Sequence, residues 1–222
     1  MASPSDQGKV RAPEAALWVA AAELALNHVA GVFAVGDPAQ IALMKTGKGW
    51  RGLQTHFHVD DANVGRVIQF VSKIFSDIAV TLSSASTLFT DAAPSATFFA
   101  QAKLGGNRFK NDPVRGPVDG RIEFGPRYLK GKKFFQTAVI VHEAAHFADS
   151  TVSHLASELP SPDGSPVDGP GHTGNTKKYS QLNADEAMQN AYSYAQFALH
   201  MKVGFDKRLH FKSLAGGDFE SE

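Results

Sequence analysis

The segment "FFQTAVIVHEAAHFAD", residues 134–149, constrains this chain more than any other stretch. It is apolar enough to demand burial, yet it carries His142, Glu143 and His146. Burying a polar group without a partner costs roughly 2–7 kcal/mol, so a fold that hides this run must give all three side chains something to bind. The spacing predicts a helix from about Phe134 to about Asp149. On a helix, positions four apart lie on one face, about 5–6 Å apart at their Cβ atoms. His142 and His146 therefore reach toward one point, and Glu143 stands about 100° round from His142.

Two imidazoles and an adjacent carboxylate in the pattern H-E-x-x-H suit a zinc ion bound by His142 and His146. Bound zinc brings the pKa of a water down toward about 7, and Glu143 is placed to act as general base toward that water. A catalytic zinc site takes three protein ligands. Asp149 shares the helix face but lies about 10.5 Å from His142 along the axis, which fits an acceptor orienting a histidine better than a ligand. On spacing, the third ligand comes from His154, Asp168, Glu158 or Glu186.

The remaining features narrow the class. The 222 residues suit one sizeable domain. There is no cysteine, which excludes disulfides, thiolate ligands and a cysteine nucleophile. Acidic and basic residues balance at 22 each, so no net charge draws the chain to nucleic acid or an acidic membrane. The first residues lack the apolar core of a signal peptide, and no stretch reads as the roughly 18 apolar residues of a bilayer span. The expectation is a soluble chain without membrane insertion, whose route of export, if any, is not written in it.

Along the chain, residues 1–12 read as disordered, and Pro13 opens a helix in which Leu17, Ala21, Leu24 and His28 recur at helical spacing up to Gly31. A short helical piece follows around 39–45, and "KTGKGWRG" reads as a turn. Thr55-His56-Phe57-His58 alternates like a strand, one histidine packed and the other exposed. Val64, Val67, Ile68, Val71, Ile74, Phe75 and Ile78 mark one face of a long helix capped by Asp60 or Asp61. "SATFFAQA" and "GRIEFGP" read as strands of a small antiparallel sheet, with Gly105-Gly106-Asn107 as a turn. Residues 150–180 are a Gly- and Pro-rich excursion. A closing helix starts at Asn183, which forms a capping box with Glu186; Ala184, Ala187, Met188, Ala191, Ala195 and Ala198 give it a stripe of small residues. The sum is an α+β fold with N-terminal helices, a small antiparallel sheet, a motif helix and a closing helix. It forms one domain over 13–201, with 202–222 a peripheral tail.

"GRIEFGP" leading into "TAVIVHEAAHF", the later "ADEAMQNAYSYAQFA" and the earlier Thr55-His56-Phe57 together resemble the aspzincin metallopeptidases, which include deuterolysins and peptidyl-Lys metalloendopeptidases. The resemblance spans most of residues 50–200. It implies a zincin-like metallopeptidase fold, a Zn2+ cofactor, a protein or peptide substrate lying along the sheet edge, and an aspartate as third ligand. The family's G-T-x-D-x-x-Y-G motif does not stand here. Counting back from the closing helix puts Asp168 near the ligand position; counting forward from His146 reaches His154. Tyr179 and His172 are the candidates for the tyrosine's role as oxyanion donor. The acidic positions of lysine-selective members correspond to Tyr192 and Ala195, so lysine selectivity is not implied. The expected activity is a zinc-dependent endopeptidase with Glu143 as general base. The alternatives are a catalytically silent metal-binding or interaction module on the same scaffold, and a secreted effector peptidase with one protein target.

Overall fold

The computed structural model describes residues 2–103, 120–149, 151–153 and 179–204. The turn expected at Gly105–Asn107, the candidates His154, Glu158, Asp168 and His172, and nearly all of the tail after 202 lie outside the described residues.

Four helices make the core. Helix α1 (Pro4–Val35) packs on α4 (Val64–Ser83), α6 (Lys133–Ala148) and α8 (Ala191–Val203), while α4 and α8 also pack on α6. The periodic face of α4 is the one buried: Val67, Val71, Ile74, Phe75 and Ile78 have no exposed surface. Burying side chains of this size stabilises by about 1.5–3 kcal/mol each. Asp60 does not cap α4. Its Oδ1 accepts from Ala62 N and Asn63 N at 2.9 and 2.8 Å, shaping the turn before it, and the helix begins at Val64 with Asn63 at the N-cap position.

Helix α1 starts nine residues earlier than Pro13, so residues 4–12 are helix where disorder was expected. Ser3 caps it, Oγ accepting from Asp6 N at 3.2 Å, and Pro4 takes the first turn, where proline costs nothing. Proline inside a helix costs about 3 kcal/mol, and tertiary contacts offset that at Pro13. Ser5 N donates to Asp91 Oδ1 at 2.7 Å, Gln7 Nε2 donates to Gln136 Oε1 at 3.2 Å, and Gly8 lies so close to the Phe124 ring that a Cβ would stand 2.9 Å from it. The face of α1 that enters the core is Ala15, Trp18, Val19, Ala22, Leu26 and Val29. Leu17, Leu24 and His28 point outward instead. Against the expectation that no stretch is long and apolar enough to span a bilayer, α1 is so by length and composition.

Helices α2 (Pro38–Lys45) and α3 (Lys48–Phe57) follow. The "KTGKGWRG" stretch and His56 are thus largely helical, not turn and strand. Trp50, Leu53 and Phe57 form the buried face of α3. Gly52 lets α3 approach α8, since a Cβ there would stand 2.5 Å from Met201 Cε. Residue-level alternation missed this helix because its glycines serve packing, not chain reversal.

After the short α5 (Ala85–Leu88) comes a three-stranded mixed sheet in the order β1-β3-β2. Strand β1 (Phe89–Asp91) runs parallel to the central β3 (Arg121–Phe124), and β2 (Ala100–Lys103) runs antiparallel to it, Ala102 opposite Ile122. The two expected strands are present and antiparallel to each other; the third, parallel one makes the sheet mixed. The fold is α+β, mostly helical, with β2 lying against α6.

The closing segment is two helices rather than one. The Asn183–Glu186 capping box forms, with both bonds at 2.9 Å, and starts α7 (Ala184–Met188). Asn190 then turns extended, and α8 begins at Ala191. The break comes from pairing with residues 151–153: Ser153 N donates to Gln189 O at 2.7 Å, and Ala191 N donates to Ser153 O at 3.1 Å. Tyr194 seals it by donating its hydroxyl to Met188 O at 2.7 Å. Burial, with the Asp149 charge adding to it, holds that hydroxyl protonated well above the ordinary tyrosine range.

Candidate metal centre

Helix α6 runs through the core with the apolar Ala138–Val141 and the small Ala144 and Ala145 all buried. His142 and Glu143 are buried too, at 7% and 8% exposure, and His146 is half-buried. The two rings stand nearly perpendicular, at 85°, with Nε2 of His142 3.1 Å from Nε2 of His146. Two nitrogens each about 2.0–2.1 Å from one tetrahedral zinc would be about 3.3 Å apart. The spacing is close to that of two ligands of one ion, and it is also that of a hydrogen bond between the two rings.

The protonation pattern agrees. His146 Nδ1 lies 2.8 Å from the Val152 carbonyl oxygen. A carbonyl only accepts, so Nδ1 carries the proton, and in the neutral ring the Nε2 lone pair then faces His142. Such a second hydrogen bond is what orients metal-binding histidines. Asp149, expected to accept from a histidine, acts one step further out. Its Oδ1 accepts from Thr151 N and Thr151 Oγ1, both at 2.8 Å, and its carbonyl accepts from Val152 N at 3.1 Å. The turn so formed is held by Ser153 at the α7–α8 break. Orientation of His146 thus depends on the closing helices.

Glu143 reaches the sheet. Its Oε2 accepts from Ala102 N at 2.7 Å, a length typical of a charge-assisted bond. The amide of Ala102 points away from β3, toward α6. The carboxylate is consequently fixed between the motif helix and the outer edge of β2.

Among the described residues, no group of three His, Asp or Glu side chains converges as a metal site. Glu186 places Oε2 on the backbone of Asn183 within its capping box. Tyr179 is buried and directs its hydroxyl to His56 Nδ1 at 2.9 Å; His56 Nε2 in turn meets His200 Nδ1 at 3.1 Å. His58 is half-buried, and burial lowers its pKa, with the hydrogen bond to the Tyr179 backbone acting the other way. The tyrosine ring that meets His142 is Tyr192 of α8, edge-on with centroids 4.8 Å apart. It lies eight residues before His200, about 12 Å along the helix. Its position beside the motif could be found in sequence only as an aromatic within the closing segment, not as a neighbour of His142.

Comparison with protein-family models, with curated proteins and with solved structures finds no match.

Proposed function

We propose that the protein is a zinc-dependent endopeptidase of zincin type, related to the aspzincins. The observation that carries this reading is the convergence of His142 Nε2 and His146 Nε2 at 3.1 Å, with the His146 tautomer set by the Val152 carbonyl and Glu143 fixed beside them against β2. His142 and His146 would hold the metal, with Asp168 or His154 as the candidate to complete the set. A zinc held by these residues would supply Lewis acidity toward a peptide carbonyl and lower the pKa of a water. Glu143 accepts the proton of the attacking water and delivers it to the leaving amine. Tyr192 packs the His142 ring in place. An extended substrate would add as a strand along β2, taking over the Ala102 amide that Glu143 now holds.

A second reading is favoured by one observation: the G-T-x-D-x-x-Y-G motif that carries the family's third ligand does not stand in this sequence. On that reading the chain binds metal without turnover. Zinc analysis together with digestion of unfolded casein separates the two. The peptidase reading requires one zinc per chain, and casein cleavage that Glu143→Gln abolishes while the zinc stays. Zinc retention with no cleavage by the unaltered chain selects the silent module.

A further inference from the structure

Helix α8 buries one polar side chain that the fold does not use. Gln196 is 2% exposed, and neither Nε2 nor Oε1 of its amide has a hydrogen-bond partner. Among the described residues it is the one side chain left with a buried donor and a buried acceptor both unpaired. Buried amides are nearly always paired, and an apolar residue of the same shape would avoid the penalty, so this one calls for a partner from beyond the fold. Its surroundings say where that partner enters. Residues four apart on a helix step about 40° round, so Tyr192, Gln196 and His200 share a face. At one end of this face the Tyr192 ring meets His142, centroids 4.8 Å apart; at the other, His200 Nδ1 lies 3.1 Å from His56 Nε2. Other faces of α8 are filled: Phe197 and Met201 close on Gly52 of α3, and Tyr194 meets Phe75 of α4. Gln196 thus looks into the angle between α6 and α3. Side chains on a helix lean toward its N-terminus, which carries the Gln196 amide toward Tyr192 and the motif helix.

We propose that Gln196 forms the base of a substrate subsite that takes a glutamine side chain beside the scissile bond. The proposal rests on the peptidase reading and deepens it. A carboxamide presents one donating and one accepting edge. The side chain that satisfies both at once is a second carboxamide, joined to it by a cyclic pair of hydrogen bonds. A lysine ammonium only donates and a carboxylate only accepts, so each leaves half of Gln196 unpaired. A charged side chain also lacks a counter-ion there. Lys48 donates to the Met201 carbonyl at 3.0 Å, Lys202 faces Glu14 at 4.0 Å, and Glu143 is held by the Ala102 amide. An apolar side chain pairs with neither edge. Length selects as well. One turn of helix, about 6 Å of rise, separates Gln196 from the residue that touches His142. Glutamine spans that distance better than asparagine, which is one methylene shorter.

Binding and cleavage are read separately, so that failure of the subsite and failure of the peptidase reading can be told apart. Peptides acetyl-Ala-Ala-X-Ala-Ala-amide, with X as Gln, Asn, Glu, Lys or Leu, are given to the zinc-loaded chain, the cuts being mapped by mass spectrometry. The same peptides are titrated into zinc-loaded Glu143→Gln by calorimetry. The Gln peptide should lead the Glu, Lys and Leu peptides by about 10–100-fold in kcat/KM and in affinity, with Asn between them. Gln196→Met should shrink that lead to about 3-fold or less and leave the melting temperature unchanged or higher, since a buried unpaired amide is gone. Gln196→Glu should move the preference to the Lys peptide. A Gln preference in binding with no cleavage by the unaltered chain sinks the peptidase reading and leaves the glutamine subsite standing. Equal handling of the Gln, Glu and Leu peptides overturns the proposal and assigns the Gln196 amide to buried water. So does a Gln preference that survives Gln196→Met, or no binding of any of these peptides at about 1 mM.

Discussion

Two pairs of histidines meet in this molecule at the same 3.1 Å, one on helix α6 and one between helices α3 and α8. The distance is common to both and the surroundings are not. In the first pair both Nε2 atoms face one point, the His146 proton is drawn to the far side by the Val152 carbonyl, and a carboxylate stands next to them. In the second, His56 has Tyr179 on one nitrogen and His200 on the other, so the neutral ring donates on one side and accepts on the other. On the proposed reading the first pair holds one metal ion, while the second links a buried hydrogen-bonded chain joining three segments. What separates them is where the second nitrogen of each ring is spent, not how close the rings are.

The sharpest way to break this contrast is to delete one ring from each pair. His146→Ala should cost at least 100-fold in zinc affinity and all casein cleavage, read by chelator competition and digestion. His200→Ala should leave zinc stoichiometry untouched and cost about 1–3 kcal/mol in urea unfolding, the penalty of a buried ring nitrogen losing its partner. If His200→Ala also empties the zinc site, the two pairs are not distinct in kind. Glu143→Gln should retain zinc and lower turnover about 10²–10⁴-fold, the usual weight of a general base. Asp149→Ala loosens the turn that presents Val152 to His146, and zinc affinity should fall about 10-fold with little change in melting temperature, as for other groups that orient a ligand.

The smallest effect concerns His58, which adjoins the second cluster. Burial depresses its folded pKa below the ordinary 6.5. The unfolded chain therefore takes up the proton first as pH falls. Stability tied to this residue is complete above about pH 6.5 and is lost as pH drops through that value toward the folded pKa. His58 ends α3 in the left-handed region, at φ 51°, where asparagine is tolerated. His58→Asn should flatten the fall in melting temperature between pH 6.5 and 5 and leave zinc binding alone.

Legibility in the sequence followed the reach of each interaction. The α4 face, the Asn183–Glu186 box and the H-E-x-x-H helix are set by neighbours within a turn or two, and each stands where the spacing placed it. Features set by distant residues did not show. Helix continues back through Pro13 because Asp91, Phe124 and Gln136 hold its first turns. The closing helix breaks at Asn190 because Ser153 pairs there. Leu17 and Leu24 kept helical spacing yet face outward, since periodicity finds an apolar stripe without saying which of two lies inside. The pairing of His146 with a backbone carbonyl left no side-chain signal at all.

The most direct test of the central claim is the zinc K-edge absorption spectrum of the full chain loaded with one equivalent of zinc, beside the same spectrum for His142→Ala. Tight stoichiometric binding is expected, with at least two imidazole nitrogens at about 2.0–2.1 Å, and one fewer imidazole or no bound zinc in the variant. A chain that refuses stoichiometric zinc, or a spectrum unchanged by His142→Ala, contradicts it.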